Sequence, residues 1–420
     1  MMRRYIQRDS YLQKLIVRKD NGEVKVITGP RRSGKSFLLD PIYNDYLIGK
    51  GIPENHIISV SFDIEDEDTP KELLDREKLK EYLYSRIASQ DEPYYVFLDE
   101  IQEVTDFERI VNGLNKRANV DVYVTGSNSK FLSSDINTLF RGRGDEVNVR
   151  PLTFKEFMQG RSEPVSELWK EYYTYGGLPA LSKMPTAEQK ISYLQRLWRK
   201  TYIDDVVERH HVENREALEA IADALCSSIG SLTNTTKVTN ILSSVRHIKI
   251  SDDTVAKYIG YLEDAFLFTE AKRFNIKGNK YYENIKKYYS VDIGLRNARL
   301  NFRQQEISHI MENVIFNELI CRGYSVDVGV VEHRKKVDDR YQYFQYEVDF
   351  IATNGNEKFY IQSAFEMGTD EKRDQELNSL TRISDSFRKI VIEGADIMPY
   401  TDEKGIQYMG LFQFLQSDSL

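Results

Sequence analysis

Short apolar runs alternate with longer stretches of helical periodicity over the first 150 residues. Five of the runs have the length and the β-branched or aromatic content of buried strands. They are Val24 to Thr28, His56 to Phe62, Tyr94 to Leu98, Asp121 to Thr125 and Glu146 to Val149. Before them, Arg3 to Val17 has apolar residues at helical spacing and predicts a lead-in helix. Strands separated by helices are typical of a parallel sheet covered by helices, so residues 1–150 are predicted to form an α/β domain.

The pattern changes at Pro151, where Thr153 and Glu156 form a capping-box signature at a helix start. Residues 151–212 are predicted to be a helical lid or linker. Residues 213–300 are predicted to hold three helices and a β-hairpin, the succession that is typical of a winged helix. Those five elements are Glu216 to Ser228, Thr236 to Ser244, Asp252 to Asp264, Ala265 to Asn275 and Lys280 to Ser290.

Residues 301–420 are predicted to form a last domain, which begins with an amphipathic helix from Met311 to Cys321. Strand patterns follow, and a closing helix or strand covers Leu411 to Leu415. The predicted strands are Tyr324 to Val331, Tyr341 to Ile351, Lys358 to Ser363 and Ile390 to Glu393.

Composition narrows the class of protein. The 420 residues include 58 Lys and Arg against 66 Asp and Glu, a net charge of -8, so any nucleic-acid contact must be a local basic patch. One such region is Ser231 to Ile310, with 13 Lys and Arg against 8 Asp and Glu. The two cysteines, Cys226 and Cys321, form no metal-binding or disulfide pattern, and no segment has the length of a membrane span. A cytoplasmic protein without membrane contact is expected.

The first apolar run leads into a phosphate-binding motif. Residues 29–36 read GPRRSGKS, which fits G-x-x-x-x-G-K-[ST] between a predicted strand and a helix. Glycines allow backbone N–H groups to face a phosphate, Lys35 can reach the β- and γ-phosphates, and Ser36 can bind Mg²⁺. ATP and Mg²⁺ are therefore the predicted cofactors. The predicted nucleotide-binding residues are Gly29, Pro30, Arg31, Arg32, Ser33, Gly34, Lys35, Ser36 and Phe37.

Acidic and polar residues follow two further predicted strands. Asp99 and Glu100 end the third strand, where Asp99 would bind Mg²⁺ and Glu100 would polarise the attacking water. The fourth strand ends in a polar tip that should lie between the first and third strands, and Asn128 is preferred to Ser127 as the residue that senses the γ-phosphate. Hydrolysis is the predicted reaction, because an acidic base is present.

Arginines precede the fifth predicted strand. Arg141 or Arg143 could reach a nucleotide on a neighbouring subunit, which predicts a homo-oligomer with shared ATP sites. Surface salt bridging is the alternative interpretation of these arginines.

Eight motifs, taken in order, resemble those of the widespread prokaryotic AAA-type ATPases. They are GPRRSGKS, FLDEIQ, TGSNSKFL, RGRG, PLTFKEF, YGGLP, KYYSVDIGLRNA and EVDFIA. Members of that family carry a winged helix and a C-terminal domain similar to PD-(D/E)xK nucleases. The resemblance implies an AAA-like parallel sheet, a helical and winged-helix region, and a restriction-endonuclease-like α/β domain at the C-terminus. It supplies no substrate.

The nuclease-like domain is predicted to lack nuclease activity. A PD-(D/E)xK site uses carboxylates to hold Mg²⁺ and a lysine to activate water. Glu312 and Asp349 could supply two of the acids, but Gln362 and Ala364 stand where a second-strand acid and the lysine belong. Glutamine provides no anionic charge and alanine provides no polar group, so the metal site is incomplete.

Three functions follow from these predictions. The first is a Mg²⁺-dependent ATPase that repositions its C-terminal domains on DNA, with Lys277, Lys280, Lys286 and Lys287 as contacts to the DNA backbone. The second is an ATP-driven switch whose C-terminal domains bind only protein. The third is an ATP-gated nuclease, which the residues at 362 and 364 disfavour.

Overall fold

The computed structural model describes residues 5–62, 71–126, 138–140, 142–337 and 340–420. The chain divides into two compact units, Met1–Pro151 and Leu152–Leu420. The boundary between them lies where the sequence pattern changes. None of the helices in the described ranges combines the length and apolar content that crossing a membrane requires.

The first unit contains a five-stranded sheet. Its strands are β1 (Val24–Thr28), β2 (Ile57–Ser61), β3 (Tyr94–Asp99), β4 (Val120–Thr125) and β5 (Gly144–Asn148). Every neighbouring pair is parallel, and the order across the sheet is β2-β3-β4-β1-β5. The prediction of an α/β unit with a parallel sheet is confirmed. Since β4 lies between β1 and β3, the ends of the three strands that carry the predicted chemistry are neighbours.

Helices cover both faces of this sheet, and β1 and β4 are therefore buried along their whole length. One face packs Leu15, Leu39 and Tyr43 against the sheet, and the other packs Leu79 and Val111. The helices are Asp9–Arg18, Lys35–Phe37, Asn44–Gly49, Arg76–Arg86 and Phe107–Leu114, and a wide helical turn, Leu38–Tyr43, joins the second to the third.

The second unit begins with helices. The capping box of Thr153 and Glu156 is present, and Ser251 caps the helix that follows it, as predicted. The helices are Phe154–Phe157, Val165–Tyr175, Ala187–Arg196, Asp204–His210, Arg215–Ser227, Thr235–Val245, Asp252–Asp264, Ile293–Arg299, Ile307–Cys321, Asp370–Leu377 and Leu411–Gln416.

Eight strands of the second unit form one mixed sheet, in the order β12-β13-β11-β10-β9-β8-β6-β7. They are β6 (Phe268–Asn275), β7 (Lys280–Ser290), β8 (Ser325–Val337), β9 (Arg340–Asn354), β10 (Glu357–Ala364), β11 (Arg388–Glu393), β12 (Tyr400–Thr401) and β13 (Ile406–Gly410). The three predicted helices and hairpin of residues 213–300 are all present. The hairpin also joins the C-terminal strands, because β6 pairs in parallel with β8. The winged-helix assignment and a boundary at residue 300 therefore stay predictions.

The YGGLP motif packs against the start of the helix Ile293–Arg299. The N–H of Gly177 donates to Oδ2 of Asp292 at 2.8 Å, and a Cβ at Gly176 would lie 2.3 Å from Oδ1 of the same carboxylate. A Cβ at Gly294 would lie 1.8 Å from the backbone oxygen of Tyr175. Only glycine fits such close approaches, so the two motifs need glycine at these positions to pack together.

Candidate functional site

The phosphate loop follows β1 directly and is packed against the end of β5. Gly29 has a φ of +137°, and a Cβ there would lie 2.1 Å from the backbone oxygen of Val149. Gly34, with a φ of +94°, precedes the helix that begins at Lys35. The motif thus requires glycine at position 29 for both conformation and space. Ser33 is buried, whereas Arg32 and Phe37 are exposed.

Lys35 lies folded back over this loop. Its Nζ atom donates hydrogen bonds to the backbone oxygens of Gly29 and Pro30, both at 3.1 Å. The same atom lies 3.8 Å from Oε1 of Glu100. The structure therefore brings together the lysine and the glutamate that were predicted from separate motifs.

Ser36 and Asp99 meet on the same side of the loop. The Ser36 hydroxyl donates to Oδ1 of Asp99 at 2.9 Å, and the Thr125 hydroxyl donates to the same oxygen at 2.5 Å. Burial raises the pKa of Asp99, and the two hydroxyl groups oppose that rise. A hydroxyl and a carboxylate are hard oxygen ligands of the kind that Mg²⁺ takes, so these residues fit the predicted ion.

Glu100 is held in a left-handed backbone conformation, with a φ of +51°. Its N–H donates to Oγ1 of Thr125 at 2.9 Å, and its carboxylate accepts a hydrogen bond from Nε2 of the buried residue Gln102. Thr125 therefore contacts both members of the acidic pair from the end of β4. Neither Thr125 nor Gln102 was predicted as a site residue, although the predicted strand order places the end of β4 beside Asp99.

The sensor and arginine predictions fall mostly outside the described residues. Ser127, Asn128 and Arg141 all lie in ranges that the structure does not describe. Arg143 is exposed, and its backbone oxygen accepts a hydrogen bond from the N–H of Val24, the first residue of β1. Arg143 is thus at the amino end of the sheet, about 16 Å along β1 from the phosphate loop. Its predicted role toward a neighbouring subunit stays a prediction.

A second group of acidic residues lies in the second unit. Glu312 on the helix Ile307–Cys321 and Asp349 on β9 come together with Glu347, and Lys287 on β7 lies among them. The Lys287 ammonium is 2.8 Å from Glu312, 2.8 Å from Glu347 and 3.8 Å from Asp349. In the part of the chain that the structure describes, no group of three or more His, Cys, Asp or Glu is placed to hold a metal ion.

Burial and charge act in opposite directions in this group, which we call the Lys287 cluster (Lys287, Glu312, Glu347 and Asp349). Burial lowers the pKa of Lys287, but the three carboxylates outweigh it and leave that pKa raised. Burial and Glu312 raise the pKa of Asp349 well above its usual value, and Lys287 opposes the rise. The N–H of Ser363 on β10 donates to Oδ2 of Asp349 at 2.8 Å, and Nε2 of the preceding residue, Gln362, donates to Glu376 at 3.1 Å.

The lysines that were predicted to contact DNA divide into two pairs. Lys277 and Lys280 are exposed at the turn between β6 and β7. Lys286 forms an ion pair with Glu270. Lys287 is 3% exposed, so its prediction as a surface contact is wrong: β7 turns this side chain toward the acids of the helix and of β9.

Comparison with known proteins places this geometry in a family. A family model described as an AAA domain matches residues 21–158, and a model described as a domain of unknown function (DUF8612) matches residues 166–306. An uncharacterized protein of Haemophilus influenzae is 36% identical over 399 residues, which are 94% of each chain. The chain belongs to the same family as this protein and carries an AAA domain.

The chain is also similar to archaeal proteins. An uncharacterized protein of Methanocaldococcus jannaschii is 29% identical over 362 residues, which cover 83% of the present chain and 76% of that protein. The chain is also similar to the solved structure of a Walker-type ATPase of Pyrococcus abyssi. The match covers 70% of the present chain and 96% of that protein's chain, with 15% identity and a TM-score of 0.49.

Proposed function

We propose that the protein hydrolyses ATP with Mg²⁺ in its first unit and uses the nucleotide state to reposition its second unit on DNA. The observation that carries the enzymatic part is the meeting of Lys35, Ser36, Asp99 and Glu100 at the carboxyl ends of β1 and β3. These are the groups that phosphoryl transfer to water needs: a cation for the phosphates, ligands for a metal ion and a base.

Each residue has one task in this reaction. The phosphate loop binds the triphosphate through its N–H groups, and Lys35 turns from the loop oxygens to the β- and γ-phosphates. Mg²⁺ held by Ser36 and Asp99 would neutralise charge on the phosphate oxygens. Glu100 orients a water molecule and accepts its proton while the water oxygen bonds to the γ-phosphorus. The bond from that phosphorus to the bridging oxygen breaks, which gives ADP and inorganic phosphate.

The enzymatic proposal is tested by phosphate release from ATP, measured with purified full-length protein. We expect Glu100→Gln to lower kcat by a factor of about 10² to 10⁴ while ATP still binds, because the base is lost and the loop is kept. Lys35→Ala should lose ATP binding itself. Tyr84→Ala, at an exposed position on another helix of the same unit, serves as the control. Turnover that is unchanged in both site variants would refute the assignment.

DNA is proposed as the target because the three helices and hairpin of residues 213–300 have the order of a winged helix and carry Lys277 and Lys280 at an exposed turn. The third of these helices, Asp252–Asp264, carries acidic side chains, whose negative charge opposes contact with DNA phosphates. Burial and Glu270 raise the pKa of Glu263 to about 8, so this residue is mainly uncharged at neutral pH. Asp252 accepts a hydrogen bond from the Thr236 hydroxyl at 2.5 Å.

A protein partner is the second candidate target. It is favoured by the finding that Lys286 and Lys287 are engaged in ion pairs inside the unit, which leaves fewer cations for phosphate contacts than the sequence implied. Nuclease activity is opposed by the absence of an acid at Gln362 and by the ammonium group among the carboxylates.

One experiment separates the two targets. ATP turnover and DNA binding are measured with single- and double-stranded oligonucleotides at several salt concentrations. If DNA is the target, binding weakens with salt, and the double variant Lys277→Gln, Lys280→Gln lowers the salt slope by about 2. Equal binding by the wild type and the double variant, or no binding by either, would favour a protein partner.

A further inference from the structure

Arg8 connects the segment before the first helix to the phosphate loop. Its Nη1 donates to the backbone oxygen of Ser33 at 3.0 Å, and its Nη2 donates to the backbone oxygen of Arg150 at 2.7 Å. The residue is 4% exposed. A single buried guanidinium group thus joins three segments that are distant in sequence: the N-terminal segment, the loop after β1 and the chain after β5.

Further contacts hold the guanidinium group in place. Its carbon lies 4.6 Å from the ring centroid of Tyr11, which is fully buried. The Tyr11 hydroxyl in turn accepts a hydrogen bond from the N–H of Arg150 at 3.1 Å. The neighbouring residue, Val149, is the one whose backbone oxygen leaves no room for a side chain at Gly29. The phosphate loop is therefore contacted at its start by the end of β5 and near its end by Arg8.

The bond to Ser33 sets the direction of one loop N–H. The only cis peptide bond in the described ranges joins Asp40 to Pro41, so the peptide between Ser33 and Gly34 is trans. In a trans peptide the C=O and the N–H point in opposite directions. Holding the Ser33 oxygen toward Arg8 therefore points the N–H of Gly34 away from it.

We infer that Arg8 is a positioning residue for nucleotide binding, which fixes the Ser33–Gly34 peptide so that its N–H faces the phosphates. This inference rests on the proposed ATPase function. Arg8 does not touch the nucleotide, and it affects nucleotide affinity through the loop backbone. A preorganised loop binds phosphate more tightly because ordering it on binding costs less.

The test compares Arg8→Ala with the wild type in ATP turnover and in titrations with a fluorescent ATP analogue. We expect KM and the analogue's Kd to rise about 10- to 100-fold, because two hydrogen bonds from a charged donor are lost. We expect kcat to stay within about threefold, because the catalytic groups remain. Guanidinium ion at about 10 mM, far below denaturing concentrations, should restore affinity to this variant by filling the space that the side chain leaves.

Two further variants guard against a purely structural effect. Arg8→Lys keeps the charge but lacks the two-pronged donor group, and its KM should lie between those of the wild type and Arg8→Ala. If Arg8→Ala does not fold, Arg8→Lys should still show a KM above that of the wild type. Lys14→Gln removes the other cation near Tyr11, whose Nζ lies 4.9 Å from the ring centroid, and should leave KM unchanged.

A KM that stays at the wild-type value in a folded Arg8 variant, or a loss of stability without a change in KM, would overturn the inference. Failure of the wild type to bind ATP would instead refute the proposed function. Lys35→Ala distinguishes failure of the inference from failure of the proposed function, because it should lose ATP binding whether or not Arg8 positions the loop.

Discussion

Replacement of Lys287 by methionine should destabilise the second unit strongly. Methionine has a similar length but no charge, so two close ion pairs, each at 2.8 Å, are lost together. The side chains of Glu312 and Asp349 are 12% and 11% exposed, and they recover little hydration when the ammonium is gone. Breaking a buried pair costs about 3–5 kcal/mol. We expect about 3 kcal/mol, at the lower end, because Glu347 is 30% exposed and can turn to water.

The assay is urea unfolding followed by tryptophan fluorescence at pH 7. The only tryptophans, Trp169 and Trp198, both lie in the second unit, so the signal reports that unit alone. Lys286→Met is the matched control, since its pair with Glu270 is 29% and 27% exposed and should contribute about 0–1 kcal/mol. If Lys287→Met loses no more stability than Lys286→Met, the buried cluster does not stabilise the fold in the way described.

The deficit of Lys287→Met should also depend on pH. The pKa of Asp349 is already raised in the folded protein, and loss of the ammonium, which opposes that rise, raises the pKa of Asp349 further. Groups with a raised folded-state pKa stabilise the fold at low pH, and that stability is lost as pH rises. The difference between variant and wild type is therefore expected to be smaller at pH 5 than at pH 8.

Two other outcomes are expected. Thr125→Val removes the hydroxyl that contacts both Asp99 and Glu100, so kcat for ATP should fall about 10- to 100-fold with affinity nearly unchanged. Phosphate release at saturating ATP checks this, and an unchanged kcat would contradict it. Burial raises the pKa of Asp292 to about 6 from 3.8, so the wild type should lose on the order of 1 kcal/mol of stability between pH 5 and 7.5. Asp292→Asn should not show this loss, and parallel curves for the two proteins would count against it.

The first unit was largely predictable from sequence because its chemistry follows strand ends. The strands β1, β3 and β4, which carry the predicted chemistry, are runs of almost wholly buried residues, and in a parallel sheet all carboxyl ends meet at one edge. Lys35, Ser36, Asp99 and Glu100 could therefore be brought together without knowledge of the packing. The position of β4 between β1 and β3 was predicted on the same basis, although Thr125 was not predicted to contact Asp99 and Glu100.

The residues that were missed depend on contacts between distant segments. Arg8 looked like one more charge in an amphipathic segment, and its partners Ser33 and Arg150 are backbone groups, which leave no pattern in a sequence. Lys287 stands between Lys286 and Tyr288 in the sequence KKYYS, which has the pattern of a half-exposed strand. Its burial is decided by Glu312, Glu347 and Asp349 on other elements, and a tertiary ion cluster of this kind overrides the local pattern.

The acidic site of the first unit and the Lys287 cluster differ in how closely a lysine pairs with their carboxylates. In the second unit, the Lys287 ammonium lies 2.8 Å from two carboxylates, so the charge of that cluster is compensated by the chain itself. In the first unit, the Lys35 ammonium is farther away, at 3.8 Å from Glu100, and Asp99 accepts hydrogen bonds from the neutral hydroxyls of Ser36 and Thr125. A metal ion adds favourable charge only where carboxylates are not already paired. The contrast agrees with the proposal that the metal ion of ATP hydrolysis binds in the first unit.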